Sequence, residues 1–133
     1  YGGEGLVCPI LNARKNQVYA AIYECRKGKL TCIGAPMAIS PQQLAERLLT
    51  LQRPVTFLGD GVPVYKEQLI GALGSRAILA PLAASYPRGA AVAELGLAAF
   101  QAGRGMDPAA LQPEYIRPSE AELNWLKKNC SGG

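Results

Sequence analysis

The stretch LVCPILNARKNQVYAAIYECRKGKLTCI, residues 6–33, decides the fold of this chain. Apolar and aromatic side chains of its middle segment alternate between two sides: Val18, Ala20 and Ile22 on one, Tyr19, Ala21 and Tyr23 on the other. A period of two is typical of a β-strand. Polar residues at 12–16 and 26–29 break this pattern, and Gly28 can adopt the positive φ that a tight hairpin needs. The stretch therefore predicts three antiparallel strands joined by two hairpins.

Both sides of the middle strand carry apolar or aromatic side chains, so we expect both faces of the sheet to be covered by helices or by another lobe. A helix signal follows. Ser40 suits the N-cap, Pro41 the first helical position, and Gln43 the capping box. We predict that this helix ends at residues 53–54, where Arg precedes Pro, and that residues 55–58 form a buried strand because they are β-branched and aromatic.

Two further helices and one strand are predicted downstream. The apolar residues of the next helix recur at helical spacing: Tyr65, Leu69 and Leu73. Gly74 is placed to end that helix, and residues 77–82 form a short apolar run that predicts a strand. Residues 87–103 predict a helix rich in Ala and Gly. We interpret it as a packing helix, held against another part of the protein or against a partner.

The last segment predicts no regular interior element, because it contains three prolines between residues 107 and 118. We interpret residues 111–118 as an extended strap. Three apolar side chains are predicted to anchor it: Leu111, Tyr115 and Ile116. A second capping box at residues 119–122 predicts a short final helix with Leu123 and Leu126 on one side and Lys127 and Lys128 at its C-terminal end.

Size and composition indicate one domain of an ordinary globular kind. The chain has 133 residues, of which 49% are hydrophobic and 18% charged. It contains no apolar run near the ~18 residues of a membrane span, and its first residues do not form a secretory signal. Because the sequence begins at Tyr1 within a glycine-rich loop, we expect a fragment that lacks its N-terminal part. The alternative is a trimmed form of a complete small protein.

The net charge of +4 and pI near 9 are mildly basic. The cations gather at the two hairpin tips: Arg14, Lys15, Arg26, Lys27 and Lys29. Such a cluster is either a phosphate-binding surface or a pair of solvated turns. The spacing of the cysteines includes no Cys-x-x-Cys motif. Cys8, Cys25 and Cys32 are interpreted as small core residues in a reducing compartment, and Cys130 lies in the tail.

The chain contains no histidine. Ser-His-Asp and Cys-His nucleophile pairs and histidine-containing zinc sites are therefore excluded. Any catalysis would have to rest on carboxylates, lysine or tyrosine. The turn Gly59-Asp60-Gly61 lies between a predicted strand and a predicted helix, where backbone N–H groups can bind phosphate. It is either the remnant of a nucleotide-binding loop or a structural turn in which Asp60 caps the helix that begins near Val62.

Three strings resemble one protein family. NARKNQVYAAIY at 12–23 resembles the hairpin of the bacterial TsaB family, formerly YeaZ, whose members act in tRNA threonylcarbamoyladenosine biosynthesis. The Pro-Arg pair and VAELG within 87–96 resemble a helix of that family, and the strings DP and PEYIRPSEAE within 107–122 resemble its closing segment. The order of predicted elements is also that of a ribonuclease H-like lobe of the actin class. One departure is Asn12, where the family usually has Asp.

The resemblance implies an α/β fold: a ribonuclease H-like, actin-like ATPase lobe with a mixed sheet. It implies that residues 1–133 are the C-terminal lobe of a two-lobe protein, with the strap and final helix at 107–130 and the N-terminal lobe absent. It further implies a cytoplasmic, non-catalytic accessory subunit that needs no cofactor. Its partners would be the transferase TsaD and the ATPase TsaE, with tRNA contacted only through that complex and no membrane involved.

Two other functions stay open from the residues. The turn at 59–61 favours an ATP-binding lobe of a sugar-kinase-like or acetate-kinase-like phosphotransferase. The former name of the superfamily, glycoprotease, suggests a peptide-bond hydrolase, which the absence of histidine disfavours. We predict no catalytic residue and no metal ligand, with Gly59, Asp60 and Gly61 as weak nucleotide-binding candidates. The structural or interaction candidates are Arg14, Tyr19, Tyr115 and Arg117. The apolar surface of a separate lobe would also favour a homodimer.

Overall fold

A computed structural model describes residues 4–118, 121–122 and 124–125. The strands are β1 (Gly5–Asn12), β2 (Val18–Arg26), β3 (Lys29–Ile39), β4 (Val55–Leu58) and β5 (Ala77–Leu79). The helices are α1 (Pro41–Leu49), α2 (Val62–Leu73) and α3 (Gly89–Gln101), with short 3-10 turns at Gly74–Arg76, Leu82–Ala84 and Pro108–Ala110.

The five strands form one mixed sheet in the order β3-β2-β1-β4-β5. Strand β2 is antiparallel to both β1 and β3, whereas β1, β4 and β5 run parallel to one another. This confirms the predicted three-stranded meander followed by alternating helices and strands. The second hairpin turns on two residues with positive φ, Lys27 at 49° and Gly28 at 75°. Two positive φ values match the right-handed twist of the flanking strands.

The core lies between one face of the sheet and helices α1 and α2. Apolar side chains of β1, β2 and β4 on this face are almost wholly buried: Leu6, Cys8, Ile10, Val18, Ala20, Ile22, Val55 and Phe57. The helices contribute Leu44, Ala45, Leu48, Val62, Tyr65, Leu69 and Leu73. The predicted stripe of α2 and the predicted alternation of β2 are therefore confirmed, and the buried strand at 55–58 is confirmed as β4.

Helix α1 begins as predicted and ends earlier than predicted. Ser40 accepts a hydrogen bond from the N–H of Gln43, and the Gln43 side chain accepts one from the N–H of Ser40, which completes the capping box. The helix ends at Leu49, with Thr50 as its C-cap, rather than at residues 53–54. The Thr50 hydroxyl donates to the carbonyl of Arg47 at 2.7 Å, and this bond belongs to the helix end.

The opposite face of the sheet is covered differently from our expectation. Helices α1 and α2 both pack on the first face, and no described helix covers the second. Ile116 of the strap instead lines a groove on this face together with Leu11, Tyr19 and Pro36. The cover of the second face is therefore extended chain at one end, and Ile78 of β5 remains 47% exposed at the other.

Several boundaries and packing predictions were wrong. Strand β3 continues to Ile39, and β5 stops at Leu79 where a 3-10 turn follows. Cys8 and Cys25 are buried as predicted, but Cys32 on the edge strand is exposed. Helix α3 forms where predicted and buries no side chain within the described residues. Its packing against another part of the protein or against a partner stays a prediction. Several predicted features fall wholly or partly outside the described residues. They are the second capping box, the final helix with Leu123, Leu126 and the two lysines, and Cys130.

Candidate functional site

The loop between β1 and β2 is built on three consecutive residues in the left-handed region. Arg14, Lys15 and Asn16 have φ values of 61°, 49° and 55°, a conformation that residues other than glycine adopt only at some cost. The loop is closed by the N–H of Ala13, which donates to the carbonyl of Gln17 at 3.0 Å, and by the N–H of Gln17, which donates to the carbonyl of Arg14 at 2.9 Å. These bonds hold the shape of the hairpin end.

Asn12 connects this loop to the turn at 59–61. Its N–H donates to Oδ1 of Asp60 at 2.9 Å. Its own Oδ1 accepts from the N–H of Arg14 at 3.0 Å and from the hydroxyl of the buried Tyr65 at 3.3 Å. The amide of Asn12 thus joins β1, the hairpin loop and helix α2 without placing a second charge beside Asp60.

The turn at 59–61 is packed against the end of β1. The N–H of Gly61 donates to the carbonyl of Ile10 at 3.1 Å. Gly59 has a φ of 105°, and a Cβ built on it would lie 2.2 Å from the same carbonyl oxygen. Gly61, not Asp60, is the N-cap of α2, so the prediction that Asp60 caps this helix was wrong. The Asp60 carboxylate bonds to β1 instead, 48 residues away along the chain.

Arg117 joins the strap to the same hairpin loop. Its Nη1 donates to Oε1 of Gln17 at 2.6 Å, and its Nη2 donates to the carbonyl of Ala13 at 3.4 Å. The guanidinium carbon lies 6.0 Å from the centre of the Tyr19 ring, at the outer limit of a cation–π contact. Of the four interaction candidates, Arg117 and Tyr19 therefore meet, and Arg14 belongs to the loop that Arg117 bonds.

The predicted anchors of the strap are not its main attachment. Leu111 is 68% exposed, Tyr115 75% and Ile116 40%. Ile116 and Tyr115 line a groove of about 270 Å³ with Leu11 and Tyr19, and the described hydrogen bonds from the strap to the hairpin loop come from Arg117. Sequence reasoning overvalued the apolar residues because apolar side chains usually mark the buried side of a segment.

The second group of charges lies at the other end of β2. Glu24 accepts hydrogen bonds from Arg53 and forms an ion pair with Arg26, whose Nη2 lies 3.0 Å from its Oε1. These bonds lower the pKa of Glu24. Arg26, which belongs to the cation cluster at the hairpin tips, is therefore paired within the protein. The sequence contained a signal for the pair of Glu24 and Arg26, since residues two apart on a strand lie on the same side. It contained no signal that Arg53 would bond Glu24.

The thiols differ in their surroundings. Burial raises the pKa of the Cys8 thiol to about 12, so Cys8 remains an uncharged core residue. Among residues 4–118, 121–122 and 124–125, no group of three or more His, Cys, Asp or Glu side chains could hold a metal ion. Within the same described residues, no helix is both long and apolar enough to cross a membrane.

No family model matches the chain. A curated protein does: the tRNA threonylcarbamoyladenosine biosynthesis protein TsaB of Bacillus subtilis (strain 168) is 31% identical over 124 residues, which are 93% of this chain and 52% of TsaB. The chain thus spans about half the length of this relative.

Two solved structures share the fold. One is YeaZ from Pseudomonas aeruginosa, with a TM-score of 0.60 and 21% sequence identity. The match covers 85% of this chain and 50% of the YeaZ chain. The other is an uncharacterized protein with similarity to peptidase YeaZ from Pseudomonas aeruginosa, with a TM-score of 0.63 and 22% sequence identity. The match covers 86% of this chain and 50% of that protein's chain. These likenesses confirm the predicted mixed α/β fold, which this chain shares with the YeaZ structures. The chain is a TsaB-like sequence about half as long as TsaB itself.

Proposed function

We propose that this protein is a non-catalytic accessory subunit for threonylcarbamoyladenosine modification of tRNA. In this proposal it works in the cytoplasm with a TsaD-like transferase and a TsaE-like ATPase, and it meets tRNA only through their complex. The observation that carries the proposal is the 31% identity to Bacillus subtilis TsaB, a tRNA threonylcarbamoyladenosine biosynthesis protein, over 93% of this chain.

The contacts of the candidate residues support a structural role for them. Arg117 bonds a glutamine side chain and a backbone carbonyl, and Asn12 bonds a carboxylate, a backbone N–H and a tyrosine hydroxyl. All these partners belong to the hairpin loop, to the turn at 59–61 or to α2. Such bonds fix the relative positions of three segments, which is what a rigid binding partner requires.

The same geometry weighs against a phosphate-binding role for the turn at 59–61. Nucleotide-binding turns direct free N–H groups at a phosphate. Here the N–H of Gly61 already donates to Ile10, and the N–H of Val62 donates to the carbonyl of Gly59 at 3.1 Å. A phosphate would also approach the carboxylate of Asp60. The internal bonds favour the structural interpretation of this turn over the phosphotransferase alternative.

Reconstitution tests the proposal. The protein is purified with the TsaD-like and TsaE-like proteins of its own source, and threonylcarbamoyl transfer to tRNA is measured with and without it. We expect transfer to depend on its addition. As a matched pair, Arg117→Gln should lower the stimulation because it loosens the strap, whereas Arg104→Gln, at an exposed arginine outside the strap, should not. Transfer that is equal with and without the protein rejects the accessory role.

A calorimetric titration with ATP and Mg²⁺ addresses the alternative. The accessory role predicts no saturable heat from this chain. Saturable binding that is lost in Gly61→Val would instead support a nucleotide-binding lobe.

A further inference from the structure

A pocket beside the β2–β3 hairpin is lined largely by cationic side chains. It has a volume of about 400 Å³, and its lining residues are Glu4, Cys25, Arg26, Lys27 and Arg53. These residues come from three separate parts of the chain. The function proposed above uses none of them.

The sheet topology brings these residues together. Leu6 of β1 pairs with Glu24 of β2 on one side and with Val55 of β4 on the other. Arg53 precedes Val55 by two residues and donates a hydrogen bond to Glu24 across the start of β1. The pocket therefore lies at the end of the sheet where β2 ends and where β1 and β4 begin.

Glu24 holds the two arginines beside each other. Its Oε1 accepts a hydrogen bond from Nη1 of Arg53 and lies 3.0 Å from Nη2 of Arg26. These bonds lower the pKa of Glu24, so its carboxylate stays charged at neutral pH and keeps both guanidinium groups in place. A guanidinium has five N–H donors, and the described bonds to Glu24 use one nitrogen of each arginine. The other donors are available to an anion that enters the pocket.

The charge balance of the pocket favours an anion. Three cations line it, against the two carboxylates of Glu4 and Glu24. Lys29 adds a fourth cation, because it is paired with Arg26 directly across the turn. Arg26 and Lys27 are exposed, so a ligand can reach both side chains from solvent.

We propose that this pocket binds the phosphate group of a small phosphorylated compound. The oxygens of a phosphate point in several directions, which suits two guanidinium forks and a neighbouring lysine, whereas a carboxylate presents two oxygens in one plane. A nucleic acid fits less well. The Glu4 carboxylate would repel the next phosphate of a continuous backbone, and the described lining contains no aromatic side chain on which a base could stack.

This inference does not depend on the accessory role proposed above. Strand β2 has nine residues, so its two ends lie roughly 30 Å apart. The hairpin loop at 13–17 and the turn at 59–61 lie near the other end of the strand. Failure of either proposal therefore leaves the other standing.

Titration of the chain with pyrophosphate tests the proposal, with backbone amide shifts followed by two-dimensional NMR. We expect saturable shifts that are centred on residues 24–29 and 53, whereas acetate at the same concentrations should give none. The ionic strength is kept constant with sodium chloride, because added salt alone screens exposed charges.

Lys27→Gln should weaken pyrophosphate binding about tenfold, because a hydrogen bond between charged groups is lost. Glutamine is also unbranched at Cβ, so the strain at the φ of 49° is unchanged. Lys66→Gln, the same substitution at an exposed position of α2, is the matched control and should bind like the parent.

Arg53→Lys distinguishes a directed site from a diffuse positive potential. The substitution keeps the charge and removes the fork, so a diffuse potential would bind pyrophosphate as before. We expect binding to weaken by at least about threefold. Arg26→Lys, at a side chain that is 73% exposed, repeats the test at a position where folding is not at risk.

Three results overturn the proposal: no saturable shift with pyrophosphate, equal binding by the parent and Lys27→Gln, or binding that both arginine variants leave unchanged. Filter binding of unmodified tRNA examines the other source of phosphate. We expect the parent and Lys27→Gln to have the same affinity for tRNA. A lower affinity in the variant, with a salt dependence reduced by about one charge, would assign the pocket to a nucleic-acid backbone and overturn the small compound.

Discussion

At the scale of single residues, Gly59 carries a steric constraint that no other amino acid satisfies. We predict that Gly59→Ala destabilises the protein by about 3 kcal/mol or more, because the new methyl group would collide with the carbonyl oxygen of Ile10, 2.2 Å away, at a φ of 105°. The melting temperature should fall by about 10 °C.

Gly71→Ala is the matched control for that variant. Gly71 lies inside α2, and a Cβ there would meet no atom within 4 Å. Alanine favours the helix by about 1 kcal/mol over glycine, so this variant should melt at a higher temperature than the parent. If Gly59→Ala melted at or above the temperature of the parent, the close approach at Gly59 would not be a constraint of the folded protein.

Arg117 attaches the strap through a forked side chain. Lysine keeps the charge but cannot reach Oε1 of Gln17 and the carbonyl of Ala13 with two parallel donors. We predict that Arg117→Lys costs about 1 kcal/mol in free energy of unfolding and increases protease cleavage within residues 111–118. Arg104→Lys, at an exposed arginine outside the strap, should change neither the free energy of unfolding nor the protease cleavage. An unaltered cleavage pattern in Arg117→Lys would contradict attachment by this side chain.

Glu24 makes stability depend on pH. Bonds from Arg53 and Arg26 lower the pKa of Glu24 in the folded protein. The stabilisation is therefore present above the ordinary pKa of a glutamate and is lost as the pH falls through the lowered value. We predict that Glu24→Gln lowers the melting temperature at neutral pH and that the difference from the parent shrinks in acid.

The control for Glu24 is Glu46→Gln, an exposed glutamate of α1. It should show a smaller difference at neutral pH. A difference between parent and Glu24→Gln that stayed constant from neutral to strongly acid pH would argue against the ion pair.

At the scale of elements, the sequence correctly predicted the structural features that are determined by residues close together in the chain. The hairpin with Gly28, the Ser40 capping box and the apolar stripe of α2 are each decided by side chains within a few positions of one another. Asp60 and Arg117 were different. Their partners lie 48 and 100 or more residues away. Local patterns cannot specify such partners, so the helix cap assigned to Asp60 was wrong, and the bonds of Arg117 to the hairpin loop were not predicted.

The capping box of α1 supplies the prediction at this scale. Ser40→Ala removes the acceptor for the N–H of Gln43 and should cost about 1 kcal/mol. Ser75→Ala, in the exposed 3-10 turn after α2, is the matched control. Thermal melts of the two variants measure the difference. Equal melting temperatures would mean that water satisfies the helix start as well as Ser40 does.

At the scale of the whole molecule, two of the described thiols are buried and a third is exposed to solvent. Cys8 and Cys25 are buried and Cys32 is exposed. We predict that iodoacetamide modifies Cys32 of the native protein rapidly, whereas Cys8 and Cys25 react only as fast as the chain unfolds. Peptide mapping by mass spectrometry follows each site. Rapid native-state modification of Cys8, whose pKa burial raises to about 12, would contradict the packing of β1.

The overall fold was predictable to a large extent, and the cover of the sheet was not. Element order and the strings at 12–23 and 107–122 indicated the mixed α/β fold that the YeaZ structures share with this chain. Composition could not show that α3 leaves its apolar side chains exposed, because an exposed apolar helix and a buried one have the same sequence pattern.

Strand β1 has a neighbour close in sequence on one side and a distant one on the other. It pairs with β2 through a loop of five residues and with β4 across two intervening strands and a helix. Closing a short loop is entropically cheap, whereas the distant pairing must order a long segment first. The meander should therefore nucleate on the microsecond scale of hairpins. The slower addition of β4 then sets the overall folding rate.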